Sequence, residues 1–208
     1  MTILAQFPEY QEFKASARNR KSDPSTVIIQ PETEKTPDDL LDESFIVIRE
    51  ALVEEIIDTI KSCSPDFFEK LVVDLLVGMG YGGSRKEASG SLTRKTGDEG
   101  IDGTINEDRL GLDTIYIQAK RWKEGTVSRP DIQKFAGALQ GKRAKKGVFL
   151  TTSDFTKEAK EFAGMIDSKI ILISGSELAD LMIEYNVGVS TERKYEIKRI
   201  DSDYFVEE

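Results

Sequence analysis

Gly97-Asp98-Glu99-Gly100-Ile101-Asp102-Gly103, followed by Ile115-Tyr116-Ile117-Gln118-Ala119-Lys120, decides how this chain is read. Side chains alternate across a strand, so Ile115, Ile117 and Ala119 share one face while Tyr116, Gln118 and Lys120 share the other. The turn-rich connection 106–113 allows the segment at Asp102 to fold back antiparallel on this strand and bring its carboxylate beside Gln118 and Lys120. The expected product is a hard-metal site with an amine next to it.

Working outward, three short strands are expected at 91–96, 101–105 and 114–120, forming a meander. Beyond a loop containing Gly125, Pro130 opens a helix through Ile132, Phe135, Ala136 and Leu139. A buried strand at 147–152, a helix at 155–165, a strand at 169–173 and a helix at 177–185 follow. This alternation predicts parallel pairing in the second half, and hence an α/β fold with a mixed central sheet flanked by helices. On the N-terminal side, Leu41, Phe45, Ile48, Leu52, Ile56 and Ile60 recur every three to four residues and mark a long amphipathic helix, with Asp38 and Asp39 favourable at its start. Such a stripe packs on the domain or on a second copy, which leaves the oligomeric state open. Ser64 caps a second helix from Pro65 to about Met79. Residues 1–37 carry four of the six prolines and no sustained period, and read as a tail or linker ahead of one domain at 38–208.

Composition narrows the chemistry. The 208 residues are 38% hydrophobic, enough for one buried core. Histidine is absent, which excludes imidazole-dependent triads, His-containing zinc sites and histidine-dependent nucleases. The lone Cys63 forms no internal disulfide, and no leading apolar run resembles a signal peptide, so a cytoplasmic protein without membrane spans is expected. Gly78-Met79-Gly80-Tyr81-Gly82-Gly83 fits a dinucleotide pattern by letter but lacks a preceding strand and a following periodic helix, so it is rejected. Net charge is −9, yet residues 84–160 hold 16 lysines and arginines against 11 acidic residues, a local net of +5. That excess suits a phosphate backbone, although an ordinary solvated surface carries as much.

The residues define a reaction class. Asp102, the amide of Gln118 and the carbonyl of Ala119 are hard oxygen donors for Mg²⁺ or Mn²⁺, and Lys120 is placed to orient a water and stabilise developing negative charge. Phosphodiester hydrolysis is implied. In isolation each residue has an ordinary explanation: Asp102 as a turn aspartate between glycines, Gln118 and Lys120 on a solvated strand edge. Asp98 and Glu99 decorate the loop or reach a second metal. Glu69 is a solvated charge or is lent to the site by its helix. Arg121, Lys123, Arg129, Lys134, Lys142 and Arg143 either track a DNA backbone or sit as solvated helix-end cations. Thr151, Thr152 and Ser153 either donate to a phosphate or close a turn.

At this point the chain resembles the catalytic domain of the Mrr family of type IV restriction endonucleases, in the PD-(D/E)xK nuclease superfamily. The resemblance runs from about residue 38 to the end. It rests on Phe67-Phe68-Glu69-Lys70-Leu71-Val72, Gly100-Ile101-Asp102-Gly103, Tyr116-Ile117-Gln118-Ala119-Lys120-Arg121-Trp122, Ile132-Gln133-Lys134-Phe135-Ala136-Gly137-Ala138-Leu139, Gly147-Val148-Phe149-Leu150-Thr151-Thr152 and Tyr195-Glu196-Ile197-Lys198-Arg199-Ile200-Asp201, in that order. It implies a restriction-endonuclease-like fold and a metal-dependent endonuclease acting on double-stranded DNA, as a homodimer or higher oligomer, in defence against modified foreign DNA. Asp102 and Gln118 then stand where the family binds metal, the glutamine replacing the usual glutamate, and Lys120 where it has its catalytic lysine. Members commonly carry an N-terminal winged-helix domain that residues 1–37 are too few to build, so recognition of modified bases by this chain is not expected, and it reads as a nuclease core whose specificity comes from elsewhere, a truncated relative or a DNA-binding remnant. A catalytically idle DNA-binding or assembly module, and a structure-selective repair or junction nuclease on the same fold, are the alternatives.

Overall fold

The computed structural model describes residues 35–82, 100–108 and 110–206. Helix α1 spans Pro37–Ser62. Its first turn is fixed by reciprocal bonds, Thr36 N donating to Asp39 Oδ2 at 2.8 Å and Asp39 N to Thr36 Oγ1 at 3.2 Å. The chain divides into two units, Met1–Glu43 and Ser44–Glu208, with the boundary inside this helix. In the first unit, Lys35 pairs with Glu43 at 2.6 Å.

In the second unit the predicted stripe of α1 is used only in part. Ile56 and Ile60 are buried and Leu52, Val53 and Ile57 pack beside them, whereas Phe45 and Ile48 remain exposed. Helix α2, Pro65–Gly78, has Ser64 accepting from Phe67 N at 3.2 Å and Pro65 at its first position, and buries Phe68, Leu71, Val72, Val73, Leu75 and Leu76. This is the cap and face expected from the sequence. Gly80, at φ +99°, carries the chain out of the helix through a backbone conformation that disfavours other residues.

The sheet has four strands in the order β1-β2-β3-β4: Gly103–Asn106, Thr114–Lys120, Lys146–Thr151 and Lys169–Ile173. β1 and β2 pair antiparallel with Gly103 opposite Ile117, while β2–β3 and β3–β4 are parallel. The sheet is mixed, as expected. The strand foreseen at 91–96 lies outside the described residues, so the hairpin β1–β2 is the described part of the meander.

Helices α3 (Arg129–Gly141), α4 (Lys157–Met165) and α5 (Gly175–Glu184) complete the domain. Two cores sandwich the sheet. On one face, Ile105, Ile115, Ile117, Val148, Leu150 and Ile173 pack with α1, α2 and α5. On the other, Tyr116, Phe149 and Ile170 pack with α3 and α4 around Phe135 and Phe155, with Phe149 edge-on to both rings at 5.6 and 5.8 Å. Period-two alternation along β2 therefore sends Tyr116 toward α3, and Gln118 and Lys120 share its parity. Two helix starts differ from the sequence reading. Thr156 caps α4 by accepting from Ala159 N at 3.2 Å, leaving Phe155 in the preceding turn. Ser174 and Glu177 form a capping box, so Glu177 is the third residue of α5 rather than its first.

After α5 the chain has no regular structure up to a 3-10 turn at Ser202–Phe205, and Tyr195, Ile197 and Ile200 of the family-like segment are exposed. No helix among the described residues is long and apolar enough to cross a membrane.

Candidate active site

The antiparallel register of β1 on β2 ends with Gly103 opposite Ile117. Just ahead of it, Asp102 N donates to Ile117 O at 2.9 Å, and Asp102 Oδ2 accepts from Ala119 N at 2.7 Å, which lays the carboxylate against β2 between Gln118 and Lys120. Gly100, at φ +108°, supplies the room, since a Cβ there would stand 3.0 Å from Gln118 Oε1. The Gly100–Gly103 segment thus sets the Asp102 carboxylate against Ala119 N and the Gln118 amide close to Gly100 at the end of a hairpin.

Burial pushes the Asp102 carboxyl above the ordinary carboxylate range, with the Ala119 N–H offsetting only part of that cost. Its Oδ1 has no hydrogen-bond partner among the described residues. A half-desolvated carboxylate with an open oxygen, beside an amide, is an environment that a hard divalent cation relieves. Among the described residues no group of three or more carboxylates, thiolates or imidazoles that could hold a metal ion is present. Asp98 and Glu99 lie outside the described residues.

Lys120 ends β2. Its ammonium is ion-paired with Asp131 and lies 4.7 Å from the centroid of the Trp122 ring. Asp131 is the third residue of α3, and its Oδ2 accepts from Ser128 N at 3.0 Å and from Ser128 Oγ at 2.8 Å. Burial opposes its ionisation, but the hydrogen bonds from Lys120 and Ser128 outweigh that and hold the carboxyl below its ordinary range. The sequence reading passed over Asp131. The signal was present in Ser128-Arg129-Pro130-Asp131, a serine three residues ahead of an acid at a helix start, where the acid is turned back toward the strand it follows.

The loop between β2 and α3 is clamped by the end of β3. Thr151 Oγ1 donates to Lys120 O at 2.9 Å, and Thr152 Oγ1 donates to Trp122 O at 2.7 Å while accepting from Trp122 N at 2.9 Å. Ser153 Oγ donates to Gly125 O. Of the two readings open for this Thr-Thr-Ser run, the structure realises the turn-closing one, because each hydroxyl proton is spent on a backbone carbonyl.

The remaining candidates scatter. Glu69 is half-buried on α2, the helix that packs on β2. Arg121 has the same parity as Ala119 and points away from Lys120: its Nη1 donates to Lys61 O at 2.6 Å in the last turn of α1, and its buried Nε has no partner among the described residues. That guanidinium closes a helix C-terminus rather than joining the cations near Lys120. Arg129 lies over the Phe162 ring at 5.2 Å. Lys123 and Lys134 are exposed, as are Lys142 and Arg143, which follow the C-terminal end of α3, roughly 16 Å along the helix axis from Asp131 at 1.5 Å per residue. The expected basic cluster is therefore strung along α3 and not gathered at the site.

The restriction endonuclease family Mrr_cat matches residues 60–182. The type IV methyl-directed restriction enzyme EcoKMrr of Escherichia coli strain K12 is 42% identical over 194 residues, which cover 89% of this chain; the chain spans 62% of that relative's length. Among solved structures, the DNA modification-dependent restriction endonuclease AspBHI superposes with a TM-score of 0.50 at 18% identity, over 68% of this chain and 36% of that one, a likeness of fold. MspJI restriction endonuclease in complex with a 27-mer oligonucleotide gives a TM-score of 0.49 at 22% identity, over 67% and 33%. With the family's pattern matched over more than half of its length, across the strands and helices that build the Asp102–Lys120 site, the chain belongs to the Mrr_cat restriction endonuclease family.

Proposed function

We propose that this chain is the catalytic part of a divalent-metal-dependent endonuclease that hydrolyses phosphodiester bonds of double-stranded DNA, with Mg²⁺ or Mn²⁺ as the ion and modified foreign DNA as its target. The observation that carries the reading is the Asp102 carboxylate bonded to Ala119 N, between Gln118 and Lys120, which share one face of the strand. Asp102, the amide oxygen of Gln118 and the carbonyl of Ala119 would hold the ion. When bound, it supplies Lewis-acid polarisation of the scissile phosphate and a more acidic water.

The chain's own groups do the rest. Asp102 offers a formal negative charge, and its partial burial raises the gain from meeting a cation. Lys120 has three N–H donors, of which one serves Asp131. The others are available to hold the attacking water in line and to stabilise charge on the phosphoryl oxygens. A DNA target modified by methylation follows the name of the Escherichia coli relative. Cutting both strands requires two such sites, which a homodimer supplies.

The test is conversion of supercoiled plasmid with Mg²⁺ or Mn²⁺, comparing methylated with unmethylated DNA. The wild type should nick or linearise the plasmid, and Asp102→Ala should lose at least about 10²-fold, as removal of a key electrostatic group does. Equal cleavage by the two proteins would remove the site from consideration.

A further inference from the structure

We infer that Asp131 is a positioning residue of the hydrolytic site: its carboxylate, itself fixed by the Ser128 capping box, holds the Lys120 ammonium against the Trp122 ring so that the remaining N–H donors stay directed at the substrate. The inference rests on the nuclease reading of Lys120 and deepens it.

Lysine carries four flexible carbons, and ordering them costs rotamer entropy. A lysine at the end of a strand, about one-third exposed, would sample many positions without a tether. Here the ammonium has two fixed neighbours. One is Asp131, whose other carboxylate oxygen is bonded to both the N–H and the hydroxyl of Ser128, so the carboxylate cannot follow the lysine away from the helix. The other is Trp122, whose backbone N–H and C=O are both held by Thr152. Gly125 completes the wall, since a Cβ there would stand 3.3 Å from the indole. The tether is thus anchored to two elements that parallel pairing and helix capping already lock. Asp131 touches no reacting atom in this arrangement. Its effect runs through Lys120, and a misplacement of about 1 Å at such a group costs on the order of 10²-fold in rate.

Trp122 is the chain's single tryptophan, so its emission reports the ammonium above it without reference to activity. Asp131→Asn keeps the shape and an acceptor for Ser128 but loses the charge that attracts Lys120. The expected result is a shift in Trp122 emission and a loss of about 10- to 100-fold in single-turnover cleavage. DNA affinity should be unchanged or higher, because one negative charge has gone. Asp131→Glu, a residue that also serves in a capping box, should recover most of both. Ser128→Ala keeps the Ser128 N–H bond to Asp131 Oδ2 and loses only the hydroxyl's, so cleavage and emission should fall between those of the wild type and of Asp131→Asn. In a Lys120→Met background the emission response to Asp131→Asn should vanish.

Cleavage by Asp131→Asn at or above the wild-type rate would overturn the inference, as would an emission response that persists without Lys120, or a Ser128→Ala variant as slow as Asp131→Asn. If the wild type shows no metal-dependent cleavage, the nuclease reading fails, and the emission arm alone decides whether Asp131 holds Lys120.

Discussion

At the scale of single residues, the site is defined by what each side chain has left after its structural partners are served. Asp102 gives one oxygen to Ala119 N and keeps the other, and Lys120 gives one proton to Asp131 and keeps two. Gln118 contributes an oxygen without charge, where a carboxylate would add one, and the number of charged ligands is a main determinant of affinity for hard cations. Gln118→Glu should therefore tighten the ion, by about tenfold in the Mg²⁺ concentration for half-maximal cleavage, and an unchanged or weaker midpoint would argue against Gln118 as a ligand. Strand alternation and a short turn made it legible in the sequence that Asp102 comes to lie against the Gln118–Lys120 segment of β2, where its carboxylate meets Ala119 N. Asp131 was not legible in the same way. Its placement depends on a crossover returning α3 to the end of β2, a tertiary fact that local periodicity does not carry. Arg121 shows the complementary failure: composition grouped it with basic neighbours, but strand parity sends it to the opposite face, where it meets the carbonyl of Lys61.

At the scale of elements, the fold depends on close approaches that leave no spare volume. Gly147 begins the buried run of β3, and a Cβ there would stand 2.8 Å from Phe135 Cε1 and 2.9 Å from Leu139 Cδ1. At Gly175, the first residue of α5, it would stand 2.7 Å from Thr152 O. Gly147→Ala should cost about 1–3 kcal/mol by overpacking, and Gly175→Ala should sit at or above the top of that range because a backbone carbonyl cannot rotate away. Denaturant midpoints measure both, and a neutral Gly175→Ala would contradict the packing of α5 on the β3 end. Thr152→Val tests the clamp on the β2–α3 loop. It preserves shape but leaves the N–H and C=O of Trp122 without their partner, so a loss of about 2–4 kcal/mol is expected. The helices and strands around these points were readable from apolar periodicity, while the starts of α4 and α5 were displaced by two residues because Thr156 and Ser174 act as caps. A hydroxyl just ahead of an apolar run outweighs the run in fixing where a helix begins.

For the molecule as a whole, charge sets two behaviours that differ in location and in their dependence on solution conditions. At the hairpin end far from Lys120, Lys146 bridges Glu107 and Asp113, at 2.7 Å from the latter. The hydrogen bond from Lys146 holds the Asp113 carboxyl below its ordinary range. A carboxyl whose folded pKa is depressed stabilises the fold above its unfolded value, near 4, and that contribution is lost as pH falls through the folded value. The hairpin should thus fray on acidification from about pH 4 downward, read as faster exchange of the Glu107 amide, whose bond to Asp113 O closes the turn; Lys146→Ala should exchange faster already at neutral pH. In the proposed nuclease, DNA binding would depend instead on exposed cations on and around α3. If Lys123, Arg129, Lys134, Lys142 and Arg143 all met phosphates, log affinity would fall with log salt at a slope of about −4.5, near −0.9 per contact. Because Lys142 and Arg143 lie beyond the far end of α3, a short duplex seated on Asp102 and Lys120 should engage only the nearer cations and give a shallower slope, which a longer duplex steepens. Lys123→Ala should remove about one from the slope with either duplex. Arg121→Ala should leave it unchanged and instead lower stability by about 1–2 kcal/mol, since what it forfeits is a charge-assisted bond to the end of α1. A slope that drops with Arg121→Ala would mean that its guanidinium leaves Lys61 when DNA arrives, and the assignment of the two faces of β2 would have to be reversed at that residue.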